Sequence, residues 1–333
     1  MSRLRVGLIG AGHFGRFHAL KLREATRATL VGVFDHDPVR AHLVASEAQS
    51  VTLTREALLA ASDAVIIAAP AEAHFALAAE ALRAGKHVLV EKPIAATLDE
   101  ADQLAALARA AGLVLQVGHL ERFSAAHGAV TARMGKPLYI EAVRVAPFKP
   151  RGTDVSVILD LMIHDLDLIL ALVNQPIESV DAVGAAVASL HDDIANARVR
   201  FVNGCVATIT ASRIAQKTER RMRIFSEAGY LTIDFAARNL TVIGRGAGMP
   251  IPGLAEFGVA EFGVEQVGWQ DHDALEAEHA AFYASCLEGA PVLVDAAAGR
   301  WALEAAIKVA QSIAASRARA EASGLISKVA SVA

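Results

Sequence analysis

Lys92, Asp160 and His164 stand out for the chemistry their settings permit. Lys92 follows Glu91 and precedes Pro93, at the end of the apolar run Val88–Val90. Charged side chains are poor core material, and open α/β sheets bind ligands at the C-terminal ends of their strands. Lys92 is therefore read as a site group that hydrogen-bonds a substrate hydroxyl or relays its proton, more readily beside a positively charged ligand. Asp160, His164 and Asp167 fall at i, i+4 and i+7 in the run DLMIHDLD, which puts them on one face of an otherwise apolar helix. A histidine oriented by a carboxylate makes a general base near neutral pH. A metal would be the competing use of these residue types. No cysteine pair or second histidine at ligand spacing supports it, so no metal is expected. The plain alternatives are a solvated Lys92 and a structural, hydrogen-bonded His164.

A third polar segment, Gly118-His119-Leu120-Glu121-Arg122-Phe123, follows the last strand of the N-terminal half. Arg122 can grip a carboxylate or diphosphate bidentately, or pair with Glu121 and fix a hinge. Arg144 and Arg151 are weaker candidates of the same type. His119 and Asp167 complete the expected substrate-binding set. The rings of His13, His18 and His42 are read as structural or surface groups.

These residues need a scaffold, and its clearest sign is Gly10-Ala11-Gly12-His13-Phe14-Gly15, directly after the apolar run Leu4–Ile9. A strand that ends in G-x-G-x-x-G and passes into a helix is a dinucleotide-binding pattern. Gly10 allows the tight turn, Gly12 lets backbone approach a pyrophosphate, and Gly15 lets helix pack on strand. The pyrophosphate then meets the unpaired N–H groups at the helix start. Asp35 ends a second strand, Ala28–Phe34, twenty residues past Gly15. A carboxylate there accepts from ribose hydroxyls and repels a 2′-phosphate. His36, Asp37 and Pro38 offer no cation for such a phosphate, and Arg40 lies inside the next helix. NAD is the expected cofactor, in preference to NADP.

The first 120 residues alternate strand and helix patterns, with strands at Leu4–Ile9, Thr29–Phe34, Ala64–Ala68, His87–Val90 and Leu113–Val117 and a short one near Val51. Helices are expected at Phe14–Glu24, Pro38–Ala48, Phe75–Ala84 and Leu98–Ala111, with Gly85 and Gly112 as C-caps. Unbroken apolar strands between helices predict an α/β fold, a doubly wound parallel Rossmann sheet. Residues 121–333 are expected to form a second, α+β domain with a large, mainly antiparallel open sheet. It opens with a helix at Ser156–Val173 and continues in extended runs at Ile177–Ala188, Ala195–Ile214, Arg220–Phe225, Tyr230–Phe235 and Leu240–Ile243. A hairpin turn is expected at Asn203-Gly204. Gly244–Gly268 reads as a loop, and Ala274–Glu288 and Ala296–Ala315 as closing helices of that second domain.

Composition narrows the partners. Of 333 residues 54% are hydrophobic and 20% charged, with a net charge of −4. There is no Lys/Arg block, so nucleic acid is not expected as a partner. Two separated cysteines, Cys205 and Cys286, suggest a reducing compartment. The greasiest run, Val155–Val173, carries Asp160, His164, Asp165 and Asp167, too many ionisable groups for a lipid-facing span. A soluble, cytoplasmic protein is expected.

Taken together, GAGHFGRFH, AAPAEAHFALAAEALRAGKHVLVEKP and DLMIHDLD resemble the Gfo/Idh/MocA oxidoreductase family, as does the closing segment LEAEHAAFYASCLEGAPVLVDAAAGRWALEAA. The resemblance covers essentially the whole chain. It implies that Lys92, Asp160 and His164 are the catalytic group and that the Lys92–Pro93 bond is cis. It implies cofactor contacts from Gly10, Gly12, His13, Phe14, Gly15, Asp35, Ala69, Pro70, His74, Glu91 and Lys92. It also implies a homodimer or homotetramer formed through the open sheet. VGHLERF with TDVSVILDLMIHDLDLIL is similar to members that oxidise the 3-hydroxyl of UDP-N-acetylglucosamine, although their Arg-Phe-Asn-Pro is here Arg122-Phe123-Ser124-Ala125. A small-molecule sugar or nucleotide-sugar substrate is therefore expected. A dehydrogenase of a free polyol or sugar and a non-catalytic NAD or sugar sensor are the alternatives.

Overall fold

The computed structural model describes residues 3–149, 153, 155–250, 262–269 and 273–326. Contacts divide the chain into two units, one of Met1–Ser124 with Asp273–Leu303, the other of Ala125–His272 with Glu304–Ala333.

In the first unit, β1 (Leu4–Ile9), α1 (His13–Glu24), β2 (Ala28–Phe34), α2 (Pro38–Glu47), α3 (Arg55–Ala61), β3 (Ala64–Ile67), α4 (Ala71–Arg83), β4 (His87–Glu91), α5 (Leu98–Ala111) and β5 (Leu115–Gly118) follow one another. The five strands are parallel in the order β2-β1-β3-β4-β5. Helices shield both faces, so Val6, Leu8, Ile66, Val88 and Leu89 are all fully buried. Local chemistry sets the helix ends. Thr97 and Glu100 form a reciprocal capping box on α5, and Gly112 ends it in the left-handed conformation at φ 64°. The strand expected near Val51 is a single parallel bridge, Val33 to Thr52. Helix α3, not anticipated from sequence, starts at Thr54, whose hydroxyl accepts from the Ala57 N–H.

The second unit holds α6 (Ala125–Thr131), β6 (Pro137–Val145), α7 (Ile163–Val173), β7 (Ile177–Ala185), β8 (Ile194–Phe201), β9 (Val206–Ser212), β10 (Glu219–Ser226), β11 (Gly229–Asp234), β12 (Asn239–Arg245), β13 (Met249–Pro250) and β14 (Phe262–Gly268). These strands make a nine-stranded sheet, β13-β14-β12-β11-β10-β6-β9-β8-β7, antiparallel except where β6 runs beside β9. The expected hairpin turns at Gly204, φ 88°. Strand β6 has no counterpart in the sequence reading, yet it holds the sheet together by pairing with both β10 and β9. Its alternation puts Ile140, Ala142 and Arg144 on the buried face.

Gly244–Gly268, expected as a loop, contributes β13 and β14 to this sheet. Gly263 explains the misreading. A Cβ there would stand 1.8 Å from the Ala247 carbonyl oxygen, so the glycine marks close backbone approach inside a strand. Residues 251–261 of that segment lie outside the described residues.

Helices α8 (Ala274–Glu288) and α9 (Ala296–Ala322) close the chain. Sequence placed both with the second domain, whereas α8 and the start of α9 pack with the first unit. The connecting segment runs beside β5, where the Val117 N–H donates to the Val294 carbonyl at 2.9 Å.

Candidate active site

The glycine loop has the shape a dinucleotide requires. Gly10 has φ 98°, and a Cβ there would meet the Ala68 carbonyl at 2.4 Å; at Gly15 it would meet the Gly10 carbonyl at 2.0 Å. A Cβ on Gly12 would meet nothing within 4 Å, so that glycine faces open space. No side chain caps the start of α1 at Gly12, which leaves its first N–H groups without a side-chain acceptor. A cavity there is lined by Gly10, Gly12, Asp35, Arg40, Ala69 and Pro70. Asp35 is pinned at its rim, its carboxylate accepting from the Ala11 N–H at 2.7 Å and the Asp37 N–H at 2.9 Å. Burial pushes this carboxyl up, but those N–H groups and the Arg40 guanidinium outweigh it and hold it below its ordinary value. A nicotinamide dinucleotide fits this set, with the pyrophosphate over Gly12 and a ribose at Asp35. His13 and Phe14 open α1 beside the cavity, and Phe14 is 41% exposed.

His74, expected beside the cofactor, is buried. Its Nδ1 lies 2.7 Å from the Pro93 carbonyl and its Nε2 2.8 Å from the Ala69 carbonyl. The ring therefore ties two loops together and shapes the cavity from behind. Lys92 is half-buried at the end of β4, and the Lys92–Pro93 bond is cis. Glu91 turns inward, its Oε1 2.9 Å from His18 Nε2. His119 is buried, and among the described residues neither ring nitrogen has a hydrogen-bond partner. Burial, reinforced by the positive charges of Lys92 and Arg122, pulls its imidazole down to about 3. His119 is thus a neutral ring next to two cations. Arg122 sits on a 3-10 turn at Leu120–Phe123 that leaves β5.

In the second unit the helix bearing Asp160 and His164 changes pitch. Ile158–Met162 winds as a π turn before tightening into α7 at Ile163. Ser156 Oγ accepts the Ile158 N–H, anchoring the wide turn, and such turns recur at functional sites. The i, i+4 relation of Asp160 and His164 thus straddles a pitch change that spacing alone does not reveal. Asp167 is buried one turn on. Arg144, expected among the substrate groups, instead gives Nε and Nη2 to Asp165 at 2.8 and 3.0 Å in a buried bidentate pair. Arg151 lies outside the described residues.

Several contributors escaped the sequence reading. Arg40 lies inside α2, yet its Nη2 reaches Asp35 Oδ1 at 3.1 Å, and Arg55 joins it on the cavity wall. Asp165 had a usable signal, since a carboxylate on the apolar side of a helix needs a cationic partner. That partner could be found only by recognising β6 and its buried face.

Residues 4–119 match the model of an oxidoreductase family with an NAD-binding Rossmann fold, and residues 129–232 match the GFO/IDH/MocA C-terminal domain. The chain is 43% identical to a UDP-N-acetylglucosamine 3-dehydrogenase from Acidithiobacillus ferrooxidans over 316 residues, 93% of this chain and 97% of that one. A solved structure of that protein superposes with a TM-score of 0.87 at 42% identity, covering 95% of this chain and 99% of that one. An inositol 2-dehydrogenase from Acidothermus cellulolyticus is 33% identical over 57% of this chain and 61% of its own length.

Proposed function

The chain belongs to the GFO/IDH/MocA oxidoreductase family. From that premise we propose that it oxidises the 3-hydroxyl of UDP-N-acetylglucosamine, or of a closely related nucleotide sugar, to a ketone with NAD. The observation that carries this reading is the 43% identity that spans 93% of the chain and 97% of a UDP-N-acetylglucosamine 3-dehydrogenase. Inositol dehydrogenases match a smaller share at lower identity.

Bound NAD supplies the hydride acceptor, and the protein supplies position and electrostatics. His164, held by Asp160, takes the proton of the hydroxyl on the carbon that loses hydride. Lys92 Nζ donates a hydrogen bond to that oxygen and steadies the negative charge that develops on it. Arg122 is the guanidinium for the diphosphate, because Arg144 is committed to Asp165. His119, neutral and buried, keeps a third charge away from Lys92 and Arg122.

We further propose a cytoplasmic protein that assembles as a homodimer or homotetramer. Among the described residues no helix is long and apolar enough to cross a membrane, and both cysteines are free. One face of the nine-stranded sheet carries the cross-strand rings of Tyr139, Phe225 and Tyr230, with Phe225 43% exposed. An exposed apolar face of this kind is suited to a second copy.

Incubation with NAD and a panel of UDP-sugars, free sugars and polyols, followed by NADH absorbance, tests the reading. Turnover of UDP-N-acetylglucosamine well above that of any inositol is expected. Turnover of free polyols alone would overturn it.

A further inference from the structure

The first unit contains a buried run of ionisable side chains that the proposed reaction does not use. Tyr283 Oη lies 3.1 Å from His279 Nδ1, His279 Nε2 lies 2.8 Å from His18 Nδ1, and His18 Nε2 lies 2.9 Å from Glu91 Oε1. The Glu91 carboxylate accepts from His18 Nε2, and with both rings neutral the remaining partners follow. His18 donates through Nε2 and accepts at Nδ1, His279 donates through Nε2, and Tyr283 donates to His279. Glu91 Oε2 accepts the backbone N–H of Lys92 at 3.3 Å. The run thus ends on the residue that presents Lys92.

Glu278, on α8, completes the cluster. It is fully buried, and among the described residues neither carboxyl oxygen has a hydrogen-bond partner. Ligand atoms of Glu278, Glu91 and His18 all lie within 4.8 Å of one another. Gln116 on β5 donates Nε2 to the Glu278 main-chain carbonyl, while its own Oε1 is buried without a donor. The pocket therefore holds a surplus of acceptors. The groups facing Glu278 are Glu91 from β4 and His18 from α1, with His279 and Tyr283 behind on its own helix. The 3-10 turn packed against α8 carries Glu121 and Arg122, and Lys21 of α1 acts on His279 from the outer side. Burial and the Glu91 charge push the Glu278 carboxyl well above its ordinary value.

We propose that Glu278 is a positioning residue for Lys92, a neutral carboxylic acid that leaves Glu91 as the single charge between His18 and the Lys92 backbone. The positioning role rests on the catalytic reading of Lys92; the neutral state of Glu278 does not. A divalent cation is the rival occupant, but it would have to displace a bond already made by His18, whose two nitrogens both have protein partners.

Glu278→Gln keeps the shape and cannot ionise, whereas Glu278→Leu keeps only the bulk. The folded state holds the Glu278 proton at pH values where the unfolded chain loses it. Wild-type stability therefore falls as pH rises above the ordinary carboxyl range, and Glu278→Gln escapes that loss. The melting temperature of Glu278→Gln should gain on wild type by several degrees from pH 5 to pH 8, on a scale of about 2–4 °C per kcal/mol. A difference infrared spectrum should show a protonated carboxyl band in wild type that Glu278→Gln lacks. Glu278→Gln should keep kcat within about threefold and Glu278→Leu should lose about tenfold or more, with the KM for NAD unchanged in both.

A constant difference in melting temperature, no carboxyl band, or a tightly held metal ion lost in Glu278→Gln would overturn the neutral acid. Equal kcat in the Gln and Leu variants would overturn the positioning role. If Glu278→Leu does not fold, the pH dependence of Glu278→Gln and its spectrum still decide the first point, and Glu278→Asn, polar but one methylene shorter, takes the place of Glu278→Leu in the kcat comparison that decides the second. Full activity in Lys92→Met would instead remove the catalytic reading and leave the melting and infrared results standing.

Discussion

Arg144 meets Asp165 through two parallel bonds, Nε to Oδ2 at 2.8 Å and Nη2 to Oδ1 at 3.0 Å, with each side chain only 4% exposed. Arg144 comes from β6 and Asp165 follows His164 on α7, so the pair fixes the helix of the candidate base to its own sheet. Removing one partner strands a buried charge. Arg144→Met and Asp165→Leu should each lower stability by about 3–5 kcal/mol in chemical denaturation. The double variant should be more stable than either single, because neither member of the pair is then buried without the other.

The glycine loop separates fold from function within six residues. Gly10→Ala and Gly15→Ala place a Cβ 2.4 and 2.0 Å from carbonyl oxygens and should lower the melting temperature. Gly12→Ala meets no protein atom, so it should melt like wild type while binding NADH about tenfold or more weakly, a loss of about 1.4 kcal/mol or more. A fluorescence titration beside a thermal melt checks both halves.

The proposed seat of cofactor choice is Asp35 with Arg40, 3.1 Å apart. Asp35→Ala removes the charge that repels a 2′-phosphate and releases the guanidinium that can hold one. The NADP-to-NAD ratio of kcat/KM should rise by about tenfold or more, worth about 1.4 kcal/mol. An unchanged ratio would move discrimination elsewhere on the cavity wall.

Lys92→Met and His164→Ala should each cut kcat by about 10²–10⁴ with the melting temperature close to wild type, and His164→Ala should also leave NAD binding unchanged. Their pH–rate profiles assign the base, since the variant lacking it loses the inflection near neutral pH. Near-normal turnover in either variant removes that residue from the scheme.

His119 gives a pH dependence of known sign. Its imidazole is pulled from 6.5 to about 3 in the fold, so the unfolded chain binds a proton that the native state refuses. The stabilisation is present above pH 6.5 and drains away as pH falls toward 3. His119→Gln should flatten part of the decline in melting temperature between pH 7 and pH 5. It should leave the neutral inflection of the pH–rate profile in place, because His119 does not titrate there.

Local patterns carried the Rossmann half into view. Unbroken apolar strands, the three glycines and the spacing to Asp35 are properties of neighbouring residues, and each has one conformational meaning. The alternation in β8 and the Asn203-Gly204 turn were readable for the same reason. Strand β6 was not, because its role comes from partners far along the chain and its buried face carries Arg144, which sequence reads as surface or site. Strand β14 hid behind Gly263 and Gly268, since a glycine that permits close backbone approach looks like one that makes a loop.

The sequence by itself determined the dinucleotide cradle, the parallel sheet and the residue types available for proton transfer, all of which follow from short-range periodicity and backbone freedom. Tertiary structure alone decided which charges are neutralised. It paired Arg144 with Asp165, turned Glu91 inward to His18, and buried Glu278 beside them from a helix more than 180 residues further on. Whether a carboxyl is ionised depends on desolvation and the nearest opposite charge, and no local pattern records which distant side chain will supply it.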